Sequence, residues 1–143
     1  MSLPVLPTKL YAPPPRANLI QRPLLTAKLN AVALRPLTLL AAPAGFGKTT
    51  LVTAWIAAGQ QRVAWLSLAE DDNEVGRFFS YLLFALRTIS VADLGEGVLA
   101  LLQSPHPPPM RSLLNTLAHE LINRLPSGVL VLDDYHVISA QPI

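Results

Sequence analysis

The chain has 143 residues, of which 51% are hydrophobic and 14% charged, with a net charge of +2. This length suits one domain and the composition is typical of globular proteins, while so small and scattered a charge excludes a strongly basic nucleic-acid surface. The chain has no cysteine, which excludes disulfides and thiolate metal sites and fits the cytoplasm. We recognise no signal peptide, and no apolar run reaches the roughly 18 residues of a membrane span.

A proline-rich arm is predicted at the N-terminus, over residues 1–22. Its three consecutive prolines, Pro13 to Pro15, fix φ and remove hydrogen-bond donors, so we expect an extended and irregular segment. Such an arm is either a disordered leader or an ordered arm that lies on the domain, and the sequence leaves both interpretations open.

Helices and strands are predicted to alternate through the rest of the chain. The predicted elements are, in chain order, a helix from Pro23 that ends before Pro36, a buried strand at 37–42, a helix at 48–59, a buried strand at 62–68, a helix at 74–89 with N-cap residues at 71–73, a short helix or loop at 91–103, a break at 104–109, a helix through Leu114, Leu117, Leu121 and Leu125, and a strand at 128–134. This alternation predicts an α/β fold with a parallel sheet, in which ligands bind at the carboxyl ends of the strands.

A phosphate-binding loop is predicted in the segment APAGFGKT, which departs at one position from the pattern G-x-x-x-x-G-K-[ST] because Ala42 replaces the first glycine. Gly45 and Gly47 allow backbone N–H groups to turn toward an anion, and the following helix directs its N-terminal amides to the same place. Lys48 would reach the β- and γ-phosphates, and the Thr49 hydroxyl would ligate Mg²⁺. A glycine-rich turn with an exposed lysine is the alternative, but a strand before the loop and a helix after it favour phosphate binding.

Two carboxylates, Asp133 and Asp134, follow the last predicted strand. A carboxylate at a strand end can hold Mg²⁺ beside the phosphates, directly or through water, whereas an acidic pair that caps a turn is the ordinary alternative. Together with the loop upstream, the pair favours Asp133 as the metal ligand and Asp134 as a residue that orients an attacking water. We interpret His136 as structural.

Four stretches of the sequence resemble a known family: PTKLYAPPPRANLIQRPLLTAKL, LTLLAAPAGFGKTT, VAWLSLAEDDNEVGRFFSYL and LVLDDYHVI. They resemble the N-terminal ATPase domain of MalT-like, large LuxR-type transcriptional activators, a group of signal-transduction ATPases with numerous domains. The resemblance covers nearly the whole chain, and alanine is usual in that family at the position of Ala42. The matching positions are Gly45, Phe46, Gly47, Lys48, Thr49 and Thr50 in the phosphate loop, Asp133 and Asp134 at the acidic strand end, and Ile20 and Arg22 beside the adenine.

This resemblance implies a nucleotide switch with ATP or ADP and Mg²⁺ as cofactors, in which ATP together with an inducer favours an assembled, DNA-binding form and ADP a resting monomer. It also implies an incomplete P-loop ATPase fold, because in that class the next strand inserts between the P-loop strand and the Asp133 strand, and it would lie beyond residue 143. We therefore expect a partial ATPase domain at residues 23–143 with little hydrolysis of its own, in the cytoplasm, and without direct DNA contact.

The partners expected for such a module are nucleotide and either a second copy of the chain or a regulator of the parent family. The low charge fits this expectation, since it predicts apolar surface that meets a partner. Two other interpretations stay open at this point. One is a stand-alone, small nucleotide-binding interaction protein, and the other is a small P-loop kinase, which is less well supported because no substrate lid or second basic cluster is recognisable.

Overall fold

A parallel pair of strands is formed by β1 (Val63–Ser67) and β2 (Val129–Asp133), in a register that runs from Val63 opposite Val129 to Ser67 opposite Asp133. The structure, a computed structural model, describes residues 5–125 and 127–141. Its helices are α1 (Pro23–Val32), α2 (Lys48–Ala58), α3 (Val75–Arg87), α4 (Glu96–Leu102) and α5 (Met110–Arg124), and short 3-10 turns lie at Pro7–Lys9, Glu70–Asn73 and Tyr135–Val137. None of the described helices has the length and apolar character needed to cross a membrane.

The described residues divide into two compact units. The sheet unit contains those up to Tyr11 and those from Arg62 onward, and the loop unit runs from Ala12 to Gln61. The α/β class and the parallel sheet are therefore confirmed for the sheet unit, with β1 and β2 close to the predicted bounds. The predicted division of the chain between residues 22 and 23 stays a prediction.

The core of the sheet unit lies between β1 and the helices. The middle of β1, Ala64 to Leu66, is buried, and α3 packs against it. Apolar residues recur every three or four positions along α3, so one face of the helix meets the strand. The buried residues of α3 are Phe78, Phe79, Tyr81, Leu82, Leu83, Ala85 and Leu86. Because each fully buried Leu or Phe side chain stabilises the fold by about 1.5–3 kcal/mol, this face is a principal source of stability.

The arm is ordered where it contacts the sheet unit. Leu10 is part of the buried core, and the Leu6 N–H donates to the Tyr81 hydroxyl at 3.2 Å. Lys9 lies over the Tyr81 ring, with its ammonium 4.5 Å from the ring centroid. Pro13 to Pro15 are exposed and outside regular secondary structure, as expected for consecutive prolines. Of the two interpretations left open, the ordered arm is therefore confirmed for the segment around Lys9.

A buried carboxylate, Asp72, connects the arm to α3. Its side chain is 0% exposed and forms ion pairs with Lys9 and with Arg77, whose Nε lies 3.1 Å from Asp72 Oδ1. The Ala69 N–H also donates to Asp72, at 2.8 Å. Burial alone raises the pKa of Asp72, but the hydrogen bonds from Lys9, Ala69 and Arg77 outweigh it and hold the pKa below its usual value. Asp72 is therefore an ionised carboxylate with its charge compensated inside the fold.

The predicted N-cap of α3 is wrong. Residues 71–73 belong to the 3-10 turn, and the cap is Glu74, whose carboxylate accepts hydrogen bonds from the Gly76 N–H at 2.8 Å and the Arg77 N–H at 2.7 Å. The helix therefore begins one residue later than the prediction. The last helix, α5, was predicted from a leucine stripe; its buried leucines are Leu113 and Leu117.

The predicted strand at 37–42 is also wrong. These residues form no strand, and Leu37 and Leu39 are 86% and 80% exposed. The apolar side chains of this segment are typical of a buried strand. A strand also needs a neighbouring strand to pair with its backbone N–H and C=O groups. Among the described residues the sheet consists of β1 and β2, so residues 37–42 have no strand beside them.

Two helices form the loop unit, where α1 packs against α2. The Trp55 indole N–H donates to the Asn30 side-chain oxygen at 2.8 Å, and this bond joins the two helices. Trp55, Leu29 and Val52 are the buried hydrophobic residues described in this unit. In the sheet unit the other tryptophan, Trp65, lies in β1 and is also buried.

Candidate functional site

Two glycines with left-handed backbone conformations lie in the loop before α2. Gly45 and Gly47 have φ values of 84° and 79°, in the left-handed region that glycine adopts without strain. Apart from its chain neighbours, no atom of the described residues lies within 4 Å of the place where a Cβ on Gly45 would be, so the turn is open on that side. Gly47 directly precedes α2, and its carbonyl accepts the helical hydrogen bond from the Leu51 N–H at 2.9 Å.

Lys48 closes the loop with its side chain. Its ammonium donates to the carbonyl oxygen of Ala42 at 2.5 Å and to that of Pro43 at 3.2 Å. The ammonium is therefore held against the first residues of the loop, next to the N-terminus of an eleven-residue helix. A fixed cation and a helix N-terminus both favour a bound anion. The helix after the loop is confirmed, whereas the strand expected before it is absent from residues 37–42.

Three other loop-unit residues predicted to hold nucleotide, Thr49, Thr50 and Arg22, lie in or beside this turn. Thr49 and Thr50 are half-buried in the first turn of α2. Arg22, just before α1, donates from Nη1 to the Phe46 carbonyl at 3.4 Å, so the structure brings Arg22 to the loop. Phe46 and Ile20 are largely exposed. Ile20 and Arg22, which were predicted to border the base, are both exposed.

The acidic residues lie at the carboxyl end of β2, as predicted. Asp133 is the last residue of the strand, and its carbonyl accepts from the Leu68 N–H at 3.0 Å. Asp134 follows with a φ of 57° and is exposed. The described part of the chain contains no group of three or more His, Cys, Asp or Glu residues that could hold a metal ion. A magnesium site that uses Thr49 and Asp133 stays a prediction.

Curated relatives match nearly the whole chain, although no protein-family model matches it. The HTH-type transcriptional regulator MalT of Serratia proteamaculans (strain 568) is 41% identical over 139 residues, and that of Yersinia pestis (strain Pestoides F) is 37% identical over 139 residues. Each match covers 97% of this chain and 15% of the relative.

This chain is similar to one segment of MalT. The predicted likeness to MalT-like regulators is thereby confirmed, over a segment that is about 15% of the length of the MalT relatives. The names of these relatives state transcriptional regulation and do not mention a nucleotide. The ATPase assignment and the nucleotide contacts therefore stay predictions.

Asn73 of this MalT-like chain was predicted only as an N-cap candidate, and the structure gives its side chain a different role. Its side-chain NH₂ donates to the Val137 carbonyl at 2.8 Å, and its oxygen accepts from the N–H groups of Ser139 at 2.7 Å and Ala140 at 2.9 Å. Asparagine is common in turns, so nothing local in the sequence indicates partners more than sixty residues away.

Substitution of Asp134 tests whether its backbone or its carboxylate matters to the fold of the MalT-like chain. The left-handed conformation costs L-residues roughly 1–2 kcal/mol, less for Asp and Asn and least for Gly. We therefore expect Asp134→Ala to lower the free energy of unfolding by about 0.5–1 kcal/mol, and Asp134→Asn and Asp134→Gly to change it little, as measured by urea denaturation. Equal losses for the alanine and glycine variants would instead assign the effect to the carboxylate.

Proposed function

We propose that the chain is the nucleotide-binding module of a MalT-like transcriptional regulator, with ATP or ADP bound at the loop that precedes α2. The observation that carries this proposal is the Lys48 ammonium held against an open, left-handed glycine turn at a helix N-terminus. These are the features with which proteins surround a phosphate group.

The loop fits phosphate chemistry on several counts. A residue with a Cβ at position 45 would strain the left-handed backbone and place its side chain on the open face of the turn, so glycine keeps that face accessible. Lys48 has loop carbonyls as partners, and a phosphate would offer it a charged acceptor instead. An ammonium and a phosphate carry opposite charges, whereas a carbonyl oxygen is neutral, so the Coulombic attraction between them favours the bound state.

The remaining predicted contacts extend this site. Arg22 and Ile20 would border the base, since Arg22 already donates to the loop at Phe46. Thr49 and Asp133 would hold a magnesium ion, which when bound neutralises negative charge on the β- and γ-phosphates. Asp134 would orient water if hydrolysis takes place, and we propose that hydrolysis by this chain is slow.

The regulatory part of the proposal comes from the relatives. MalT is named an HTH-type transcriptional regulator, and this chain is similar to 15% of its length. We propose that the chain supplies nucleotide dependence to such a regulator, while inducer binding and DNA contact belong to other parts of it. Its proposed partner is a second copy or a MalT-like regulator.

The proposal is tested by measuring nucleotide affinity with and without magnesium in Asp133→Asn. The substitution removes one negative charge and leaves the loop intact, so we expect the affinity for ATP with Mg²⁺ to fall about tenfold while the affinity for ADP in EDTA stays the same. Isothermal titration calorimetry measures both affinities. Asp71→Asn, an exposed carboxylate in the same unit, is the matched control and is expected to change neither.

Two results would count against the proposal. If the unaltered chain binds neither nucleotide, the loop is a glycine-rich turn with an accessible lysine and has no nucleotide function. If Asp133→Asn weakens both affinities equally, Asp133 contributes to structure and the magnesium assignment is wrong.

A further inference from the structure

The carboxyl end of β2 is held to the chain that follows β1 at two places. The first is the hydrogen bond from the Leu68 N–H to the Asp133 carbonyl, 3.0 Å long. The second is the Asn73 side chain, which binds the backbone of the segment Val137–Ala140. Asp133 is the first attachment point, and Asp134 lies between the two attachments along the chain.

All four hydrogen-bonding positions of the Asn73 amide are used on backbone groups. Its oxygen accepts from Ser139 N–H at 2.7 Å and Ala140 N–H at 2.9 Å, and its NH₂ donates to the carbonyls of Val137 at 2.8 Å and Glu70 at 2.9 Å. A primary amide has two donors and two acceptor sites. Asn73 therefore meets its full capacity by joining two segments that are separated by more than sixty residues.

The anchor at Asn73 is itself firmly held. Its neighbour Asp72 is fully buried and bonded to the Ala69 N–H at 2.8 Å, to Arg77 and to Lys9 of the arm. These contacts hold the turn in place and restrict the backbone of Asn73, which belongs to the same turn. The segment after β2 is thus attached to a turn that is itself held by several hydrogen bonds and ion pairs.

The segment between the two attachments contains a backbone conformation that needs support. Asp134 has a left-handed φ of 57°, and its carbonyl accepts from the Val137 N–H at 3.1 Å to form the 3-10 turn. Such conformations persist where the surrounding structure holds them in place. Asn73 provides that hold, because it binds the residue that closes the turn and two residues beyond it.

We propose that Asn73 is a positioning residue for the acidic end of β2, and that it sets the magnesium-dependent part of nucleotide affinity through the backbone of Val137–Ala140. This inference rests on the proposed function, since it assigns a task to Asp133 and Asp134 that only nucleotide binding would use. Asn73 touches neither the metal nor the nucleotide in this proposal.

The test compares Asn73→Ala with Asn115→Ala, an exposed asparagine in α5, in two measurements. Hydrogen exchange of the whole chain without nucleotide is expected to become about tenfold faster at the Ser139 and Ala140 amides in Asn73→Ala, because each loses its acceptor. Calorimetry is expected to show about a tenfold loss of affinity for ATP with Mg²⁺ and no change for ADP in EDTA. Asn115→Ala is expected to match the unaltered chain in both.

A double-mutant cycle with Asp133→Asn separates positioning from general destabilisation. If Asn73 acts through the acidic end, adding Asn73→Ala to Asp133→Asn should cost less than about twofold further affinity for ATP with Mg²⁺, because the two substitutions remove the same interaction. A full tenfold further loss would overturn the inference. So would unchanged affinity in Asn73→Ala alongside faster exchange, and in both cases the proposed nucleotide function would stand.

A second variant covers the case in which Asn73→Ala does not fold. Asn73→Asp keeps the oxygen that accepts from Ser139 and Ala140 and loses the donors to Val137 and Glu70. We expect these two amides to stay protected and the affinity for ATP with Mg²⁺ to stay within about threefold. A tenfold loss with both amides protected would overturn the inference. Failure of the unaltered chain to bind either nucleotide would overturn the inference and the proposed function together.

Discussion

Asp72→Ala is expected to lower the free energy of unfolding of the sheet unit by about 3–5 kcal/mol, because it removes one partner from a buried ion-pair network. The substitution leaves Lys9 and Arg77 without their shared carboxylate and the Ala69 N–H without its acceptor. Against a typical domain stability of about 5–15 kcal/mol this is a large fraction. Urea denaturation followed by circular dichroism measures the loss.

Asp71→Ala is the matched control for this experiment. Asp71 is adjacent in the chain, but its side chain is 81% exposed and lies 4.0 Å from Arg77, so we expect a change within about 0.5 kcal/mol. Comparable losses in both variants would contradict the assigned role of burial.

The difference between Asp72→Ala and the unaltered chain should also depend on pH. The pKa of Asp72 is lowered in the folded state, so its stabilising effect is complete above the unfolded-state pKa near 4 and is lost as the pH falls through the folded-state pKa. The two denaturation curves should therefore approach each other below about pH 4. A constant difference from pH 7 to pH 3 would show that the carboxylate's charge is not what stabilises the fold.

Lys48→Ala is expected to weaken binding of ATP and of ADP roughly ten- to a hundredfold, since a hydrogen bond to a charged group is worth about 1.5–3 kcal/mol. The substitution also removes the donor to the Ala42 and Pro43 carbonyls. Both residues are exposed, so water can replace the ammonium there and the thermal midpoint should change little. Loss of affinity with unchanged stability is the combination that identifies a ligand contact.

Lys28→Ala provides the control, because Lys28 is an exposed lysine in α1 of the same unit. It changes the net charge by the same amount and should leave both affinities unchanged. Unaltered nucleotide affinity in Lys48→Ala would remove the phosphate-loop assignment.

Local patterns predicted most of the fold. Proline positions, apolar spacing and short apolar runs predicted helices α1, α2, α3 and α5 and both strands. Each of these signals depends only on residues that are close together in the sequence. The strand predicted at 37–42 failed because a strand is completed by a partner elsewhere in the chain. The sequence of that stretch carries no information on whether the partner is present.

The candidate site shows the same division. The helix that follows the glycine loop and the position of Asp133 at a strand end follow from local sequence. The roles of Asp72 and Asn73 do not, since their partners lie more than sixty residues away. The residue types of Asp72 and Asn73 suggested helix caps, but in the structure their side chains bind groups that are distant in the sequence.

The two tryptophans of the chain are divided between the units: Trp55, 4% exposed, lies in α2 of the loop unit, and Trp65, 2% exposed, lies in β1 of the sheet unit. Buried indoles emit at shorter wavelengths than indoles in water, so each unit carries its own optical reporter. Emission from Trp55→Phe reports the surroundings of β1 alone, and emission from Trp65→Phe reports the surroundings of α2. Midpoints that coincide in the two variants would indicate one cooperative melting transition, and midpoints that differ would resolve two.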